Sequence, residues 1–185
     1  MDKLIESLKT YTPHDEDERK VRSFMQAFIA QNPDCLTREN ETAHFTASAW
    51  IVNKNRDKAL MVFHNIYNAW SWTGGHADGC DDMLAVALKE AREETGISDF
   101  SALSDNIFSV EILNVGGHVK KGKTVKAHRH LNVTYLLEAD DTLPLKVREE
   151  ENSAVAWLSL QNAENTPEEQ MRPIYEKLNR KLREL

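Results

Sequence analysis

Residues 74 to 97 read Gly-Gly-His-Ala-Asp-Gly-Cys-Asp-Asp-Met-Leu-Ala-Val-Ala-Leu-Lys-Glu-Ala-Arg-Glu-Glu-Thr-Gly-Ile, a glycine loop followed by an acidic segment. From Asp82 to Thr95 apolar residues recur at helical spacing, and Gly96 stands where a left-handed cap would end a helix. On such a helix Glu90 and Glu94 are four residues apart on one face, with Glu93 at i+3 from Glu90. Carboxylates at that spacing repel one another unless a cation sits among them, and oxygen-only ligands select a hard ion such as Mg²⁺, Mn²⁺ or Ca²⁺. Leu84, Leu88 and Ala91 form the complementary apolar stripe, so packing can hold the helix while its acidic side faces a cleft. For an isolated glutamate pair, a solvated face partly offset by Lys89 and Arg92 would be the better reading. Here the glycines tip the balance, because a bare backbone can approach a phosphate or supply a carbonyl ligand.

Elements around this segment must position it. Runs rich in aromatic and β-branched residues at 44–53 and 59–64 flank the turn-forming Asn53-Lys54-Asn55-Arg56-Asp57 and read as two strands. Strand-like segments follow near 108–115, 130–138 and 154–160, and Met171, Ile174, Tyr175, Leu178 and Leu182 share one face of a closing helix. Between residues 13 and 33, Val21, Phe24, Met25, Phe28 and Ile29 fall at helical spacing behind an acidic start. This amphipathic helix is read as a packing extension or a partner contact, which makes room for a homodimer. Strands before and after a central helix, without regular βαβ alternation, give an α/β class with a mixed sheet covered by helices.

Composition narrows the partners. Thirty acidic against 23 basic side chains in 185 residues give a net charge of −7, which argues against broad electrostatic capture of a nucleic acid polymer. No apolar run approaches the length a membrane helix needs, so no membrane partner is expected. Two cysteines and residues 1–9 without a basic-then-apolar leader pattern point to a reducing cytoplasm.

The acidic segment resembles the box of the Nudix hydrolases: Gly, five residues, Glu, seven residues, Arg-Glu, an aliphatic residue, any residue, Glu-Glu, any residue, Gly, aliphatic. Gly75, Glu90, Glu93, Glu94, Gly96 and Ile97 match in register, with Asp81 in place of Glu, Lys89 in place of Arg and Ala91 at the aliphatic position. The resemblance implies an α/β/α sandwich with a mixed β-sheet over 41–185, preceded by an N-terminal helical extension over 1–40. It also implies Mg²⁺- or Mn²⁺-dependent hydrolysis of a nucleoside diphosphate linked to some group X, a small-molecule diphosphate substrate. Glu90, Glu93 and Glu94, helped by the Gly74 carbonyl, would hold the metal. Glu93 or Glu151 would take a proton from the attacking water, and Lys89, a point charge where the family has a planar fork, would orient a glutamate. Asp81 is a better helix cap than Glu and is expected to serve the helix start.

Outside the box, Glu149-Glu150-Glu151 lies where many Nudix enzymes bring a further glutamate to the metal or the water; a solvated acidic turn explains any one of the three equally well, and Glu151 is the choice among them. Trp70 and Trp72 flank the glycines; one could stack on a base, and core packing is the commoner fate of the type. Residues 118–130 form a basic island in an acidic chain. Lys120, Lys121 and Lys123, with His128 and His130, either meet a polyphosphate or belong to a solvated hairpin. His128 and His130 alternate as strand neighbours on one face do, which suits metal binding or substrate orientation. His76 follows Gly75 directly. Isopentenyl-diphosphate isomerases, which share the Nudix-like fold, have Cys-Gly-His there and use the histidine for metal, so an isomerase remains an alternative although Gly74 replaces the cysteine. A diphosphate-sensing module without turnover is the second alternative.

Overall fold

The computed structural model describes residues 1–120 and 123–185, the side chains of 118–120 and 123 excepted. Lys121, expected to contact substrate, lies outside the described residues. Two helices come first, α1 (Asp2–Thr10) and α2 (Glu16–Gln31), followed by strands β1 (Ala43–Asn53), β2 (Lys58–His64), β3 (Ala69–Ser71) and β4 (Thr73–His76). The acidic segment is α3 (Met83–Thr95). After it come β5 (Ser101–Ala102), β6 (Ser109–Val115), β7 (His118–Lys120), β8 (Lys123–Val125), β9 (His128–Ala139), β10 (Asn152–Ser159), α4 (Leu160–Glu164) and α5 (Arg172–Arg183).

β1 is buried along its whole length and sits at the middle of the sheet. It runs parallel to β9, His44 beside His130 through Asn53 beside Ala139, and antiparallel to β2 and β4. β10, β2, β1, β9 and β5 follow one another across the sheet, with β3, β4 and β6 joined to β2, β1 and β9. Period-two alternation divides the side chains. Phe45, Ala47, Ala49 and Ile51 with Leu131, Val133 and Leu137 pack against α1, α2 and α3. Trp50, Val52 and Leu136 face the other way, onto Tyr175, Leu178 and Leu182 of α5 and Ala163 of α4. The expected sandwich and mixed sheet are both present. Trp50 stacks on Tyr175 at 5.2 Å between ring centroids, anchoring α5.

Two local features differ from the sequence reading. α1 had no counterpart in it, since a nine-residue helix is too short to be stable alone. Leu4 and Leu8 hold it in place from within the main core, beside Met25 and Ile29 of α2. Gly74 and Gly75, expected in a loop, belong to strand β4 opposite Ser48 and Ala47. They must be glycines: a Cβ at 74 would lie 2.5 Å from Ser48 Oγ, and one at 75 would lie 2.5 Å from Glu90 Cδ. Gly96 caps α3 in the left-handed region at φ 75°, as its position implied. In the basic segment β7 and β8 pair antiparallel, with Lys120 opposite Lys123.

Candidate active site

α3 is set by its ends as well as by its apolar face. Asp82, not Asp81, is its N-cap, with the side chain accepting from Ala85 N at 3.1 Å. Asp81 instead pairs with the Met1 ammonium and accepts from Lys3 N at 3.1 Å, tying α1 to the loop before α3. Met83, Val86, Ala87 and Ala91 are buried, and the carboxylates emerge beside β4 and the start of β10.

Glu94 goes deepest, at 4% exposure. One oxygen accepts from Gly74 N at 2.9 Å and the other from Asn152 Nδ2 at 3.1 Å. Both donors are neutral. Burial, aided by the like charges of Glu90 and Glu151, pushes its carboxyl up to about 7 against these two bonds. Glu90 is mostly buried and fills the space that Gly75 leaves open. Lys89 Nζ lies 3.0 Å from Glu90 and 3.5 Å from Glu93. It contacts each carboxylate through one point charge, where an arginine would offer a planar fork.

Arg148, which the sequence reading passed over, is the hub of the site. Its Nη1 lies 3.1 Å from Glu93, 3.5 Å from Glu151 and 3.8 Å from Glu90. Three of the carboxylates singled out from the sequence are therefore brought around a single positive charge. Glu149 and Glu150 line the same open depression as Glu93 and Arg148 without joining that cluster. A basic residue immediately before an acidic run was the signal available in the sequence.

Arg38 and Asp78 were also missed. They form a two-pronged pair, Nε to Oδ1 at 2.8 Å and Nη2 to Oδ2 at 2.6 Å, at the left-handed bend of the loop after β4, where Asp78 has φ 47°. Glu90 and Glu151 help to hold Arg38 charged after its dominant partner Asp78, so this pair lies within the field of the acidic cluster.

The remaining expected residues divide. Trp72 is 7% exposed and packs edge-on against Tyr175 at 5.6 Å, so it is core rather than a platform for a base. Trp70, half-buried, meets Phe63 edge-on at 5.4 Å. His76, His128 and His130 do converge, together with His44, at the end of the sheet where β1, β4 and β9 meet. Lys126 pairs with Glu41 at 2.6 Å. Among the described residues no helix is long and apolar enough to cross a membrane.

Comparison with known proteins agrees with this geometry. A family model, the NUDIX domain, matches residues 42–181. An RNA pyrophosphohydrolase of Pelagibacter ubique is 26% identical over 141 residues, covering 73% of this chain and 89% of the relative. A probable DHNTP pyrophosphohydrolase of Lactococcus lactis is 24% identical over 126 residues, 68% of this chain and 72% of the relative. A C. elegans Ap4A hydrolase structure superposes with a TM-score of 0.57 at 19% identity, over 76% of this chain and 98% of that one. The E. coli dihydroneopterin triphosphate pyrophosphohydrolase does so with a TM-score of 0.55 at 15% identity, over 72% and 92%. At such identities the two structures speak for the fold, and the family match over most of the chain speaks for descent. The glycine strand, the buried glutamate behind it and the match over 42–181 together make this chain a member of the Nudix family, a hydrolase acting on pyrophosphate bonds.

Proposed function

We propose that the chain cleaves the phosphoanhydride of a small-molecule diphosphate, a nucleoside diphosphate joined to a further group X, with Mg²⁺ or Mn²⁺ as cofactor. The observation that carries this reading is Glu94. It is a buried carboxylate whose donors among the described residues are both neutral, raised to about 7, with the like charges of Glu90 and Glu151 nearby. Such a group is costly to keep ionised unless a cation joins it. The donor set fits a hard ion, because it consists of oxygens alone and Glu90, Glu93 and Glu151 already gather around the Arg148 guanidinium.

Glu90, Glu93 and Glu94, with the Gly74 carbonyl, would hold the ion. Bound there, it supplies neutralisation of the diphosphate and a lower pKa for a nearby water. The residues of the chain do the rest. Glu151 or Glu93, both partly exposed at 45% and 40%, accepts the proton of the attacking water. Lys89 steadies Glu90 and Glu93. Lys120, Lys121 and Lys123 of the basic segment attract the anionic substrate without taking part in bond breaking.

Hydrolysis is favoured over isomerisation by the surroundings of Gly74. A cysteine there, as the isomerase triplet requires, would set its Cβ 2.5 Å from Ser48 Oγ and 2.7 Å from the Ala47 carbonyl oxygen. The names of the two bacterial relatives share the word pyrophosphohydrolase and differ in the carrier. The test is therefore a panel of nucleoside triphosphates, nucleotide sugars, ADP-ribose, dinucleoside polyphosphates and 5′-triphosphorylated RNA, incubated with Mg²⁺ or Mn²⁺ in ¹⁸O-water. Products bearing ¹⁸O on phosphorus are expected. Conversion of isopentenyl diphosphate with its diphosphate intact would overturn the reading, and saturable binding without product from any compound would favour the sensing module.

A further inference from the structure

Four imidazoles meet where β1, β4 and β9 end together. His44 lies directly beside His130 in the parallel register, and His76 is placed on β4 opposite Thr46, two residues along β1. Five ring pairs among His44, His76, His128 and His130 have centroids 4.8 to 5.1 Å apart. One ring nitrogen from each of His44, His76 and His130 lies within 4.8 Å of the other two.

Hydrogen bonds at the back of the cluster orient its lone pairs inward. His44 Nδ1 donates to the Asn40 carbonyl at 3.0 Å, which leaves Nε2 as a bare acceptor. That Nε2 is buried without a hydrogen-bond partner, in a residue only 4% exposed. His128 repeats the arrangement, with Nδ1 2.8 Å from the Lys126 carbonyl and Nε2 3.1 Å from His130 Nε2. A backbone carbonyl on the far nitrogen is the usual partner of a metal-ligating histidine. Two imidazole nitrogens on one tetrahedral Zn²⁺ are roughly 3.3 Å apart, close to the His128–His130 separation.

We propose that His44, His76, His128 and His130 form a second metal site that takes one imidazole-preferring divalent ion, Zn²⁺ foremost. Four nitrogen donors select this class of ion, and the oxygen donors of α3 select a harder one. The site ties together the ends of β1, β4 and β9, and so braces the strand whose Gly74 and Gly75 abut Glu94 and Glu90. It stands independently of the hydrolase reading.

The test is a Zn²⁺ titration of chelator-stripped full-length protein against a chromophoric chelator, with excess Mg²⁺ present to occupy the carboxylates. One equivalent should bind, and His44→Ala and His128→Ala should each weaken it by about 10- to 100-fold, whereas Glu94→Gln should leave it unchanged. Co²⁺ in place of Zn²⁺ should produce the strong visible absorption of tetrahedral coordination, lost in both histidine variants. His128 is half-buried, so its variant reports even should His44→Ala fail to fold. Zn²⁺ affinity equal in His128→Ala and wild type would overturn the proposal, as would a loss in Glu94→Gln alone, which would assign the ion to the carboxylates.

Discussion

Two glutamates are buried almost equally in this protein, and their surroundings drive them in opposite directions. Glu18 on α2 is 2% exposed and Glu94 on α3 is 4% exposed. Glu18 has Lys177 and Lys181 of α5 each at 3.1 Å, accepts from Ser109 Oγ at 2.7 Å and His14 N at 2.8 Å, and bonds the Tyr11 hydroxyl. Burial alone would raise it; Lys177, then Tyr11 and the others, outweigh that and hold it at about 2. Among the described residues Glu94 has Gly74 N and Asn152 for hydrogen-bond partners, and it is raised to about 7. Glu18 is thus a completed ion cluster joining α1, α2 and α5, while the described hydrogen-bond donors of Glu94 are both neutral. That difference, more than depth of burial, separates a structural acid from a chemical one.

The contrast is broken most severely at Glu18. Glu18→Gln leaves Lys181 buried without its counter-charge and should cost about 3–5 kcal/mol in urea unfolding, with kcat retained while the protein is folded. Glu94→Gln should behave in the reverse sense. It preserves the shape of the protonated acid, so unfolding below about pH 4.3, where the acid is protonated in both states, should be unchanged, and turnover at limiting Mg²⁺ should fall by about 10- to 100-fold or more. Wild-type turnover in that variant would remove Glu94 from the site.

The same pair should split with pH. Glu94 has a folded pKa above its unfolded value, so the fold favours its protonated form. Metal-free protein should therefore lose stability as pH rises from about 4.3 toward 7, and Glu94→Gln should flatten that slope. Glu18 has a folded pKa below its unfolded value, so its contribution is present above about 4.3 and is lost as pH falls toward about 2. Urea midpoints measured across that range, with and without Mg²⁺, check both signs.

Smaller effects sharpen the picture at the rim of the site. Arg148 shares Glu90, Glu93 and Glu151 with any incoming cation, so Arg148→Gln should tighten Mg²⁺ binding by a few-fold in calorimetry without substrate. Unaltered affinity would mean that the guanidinium moves aside at no cost. Replacing Lys120, Lys121 and Lys123 together by Gln should raise KM at low salt, leave kcat nearly constant and fade as salt screens exposed charges over about 8 Å. A KM insensitive to the change would make these lysines a solvated hairpin.

Much of this protein follows from local sequence. The spacing of Glu90, Glu93 and Glu94 and Gly96 after them specify a capped acidic helix, because helical period and capping are local properties, whereas the glycines before them, expected in a loop, join a strand through pairing with β1. Alternation in 44–53 and 130–138 likewise marks two core strands. The rest was decided by contacts between distant segments. Asn152 and Gly74 meet across Glu94, Arg148 reaches α3 from 55 positions away to contact Glu93, and His44 joins His130 only because β1 and β9 run parallel. Nor could residue type alone separate Trp72, sealed against Tyr175, from a binding platform, or Glu18 from Glu94. Burial and the sign of the nearest charge set the ionisation of a carboxylate, and both are properties of the folded chain.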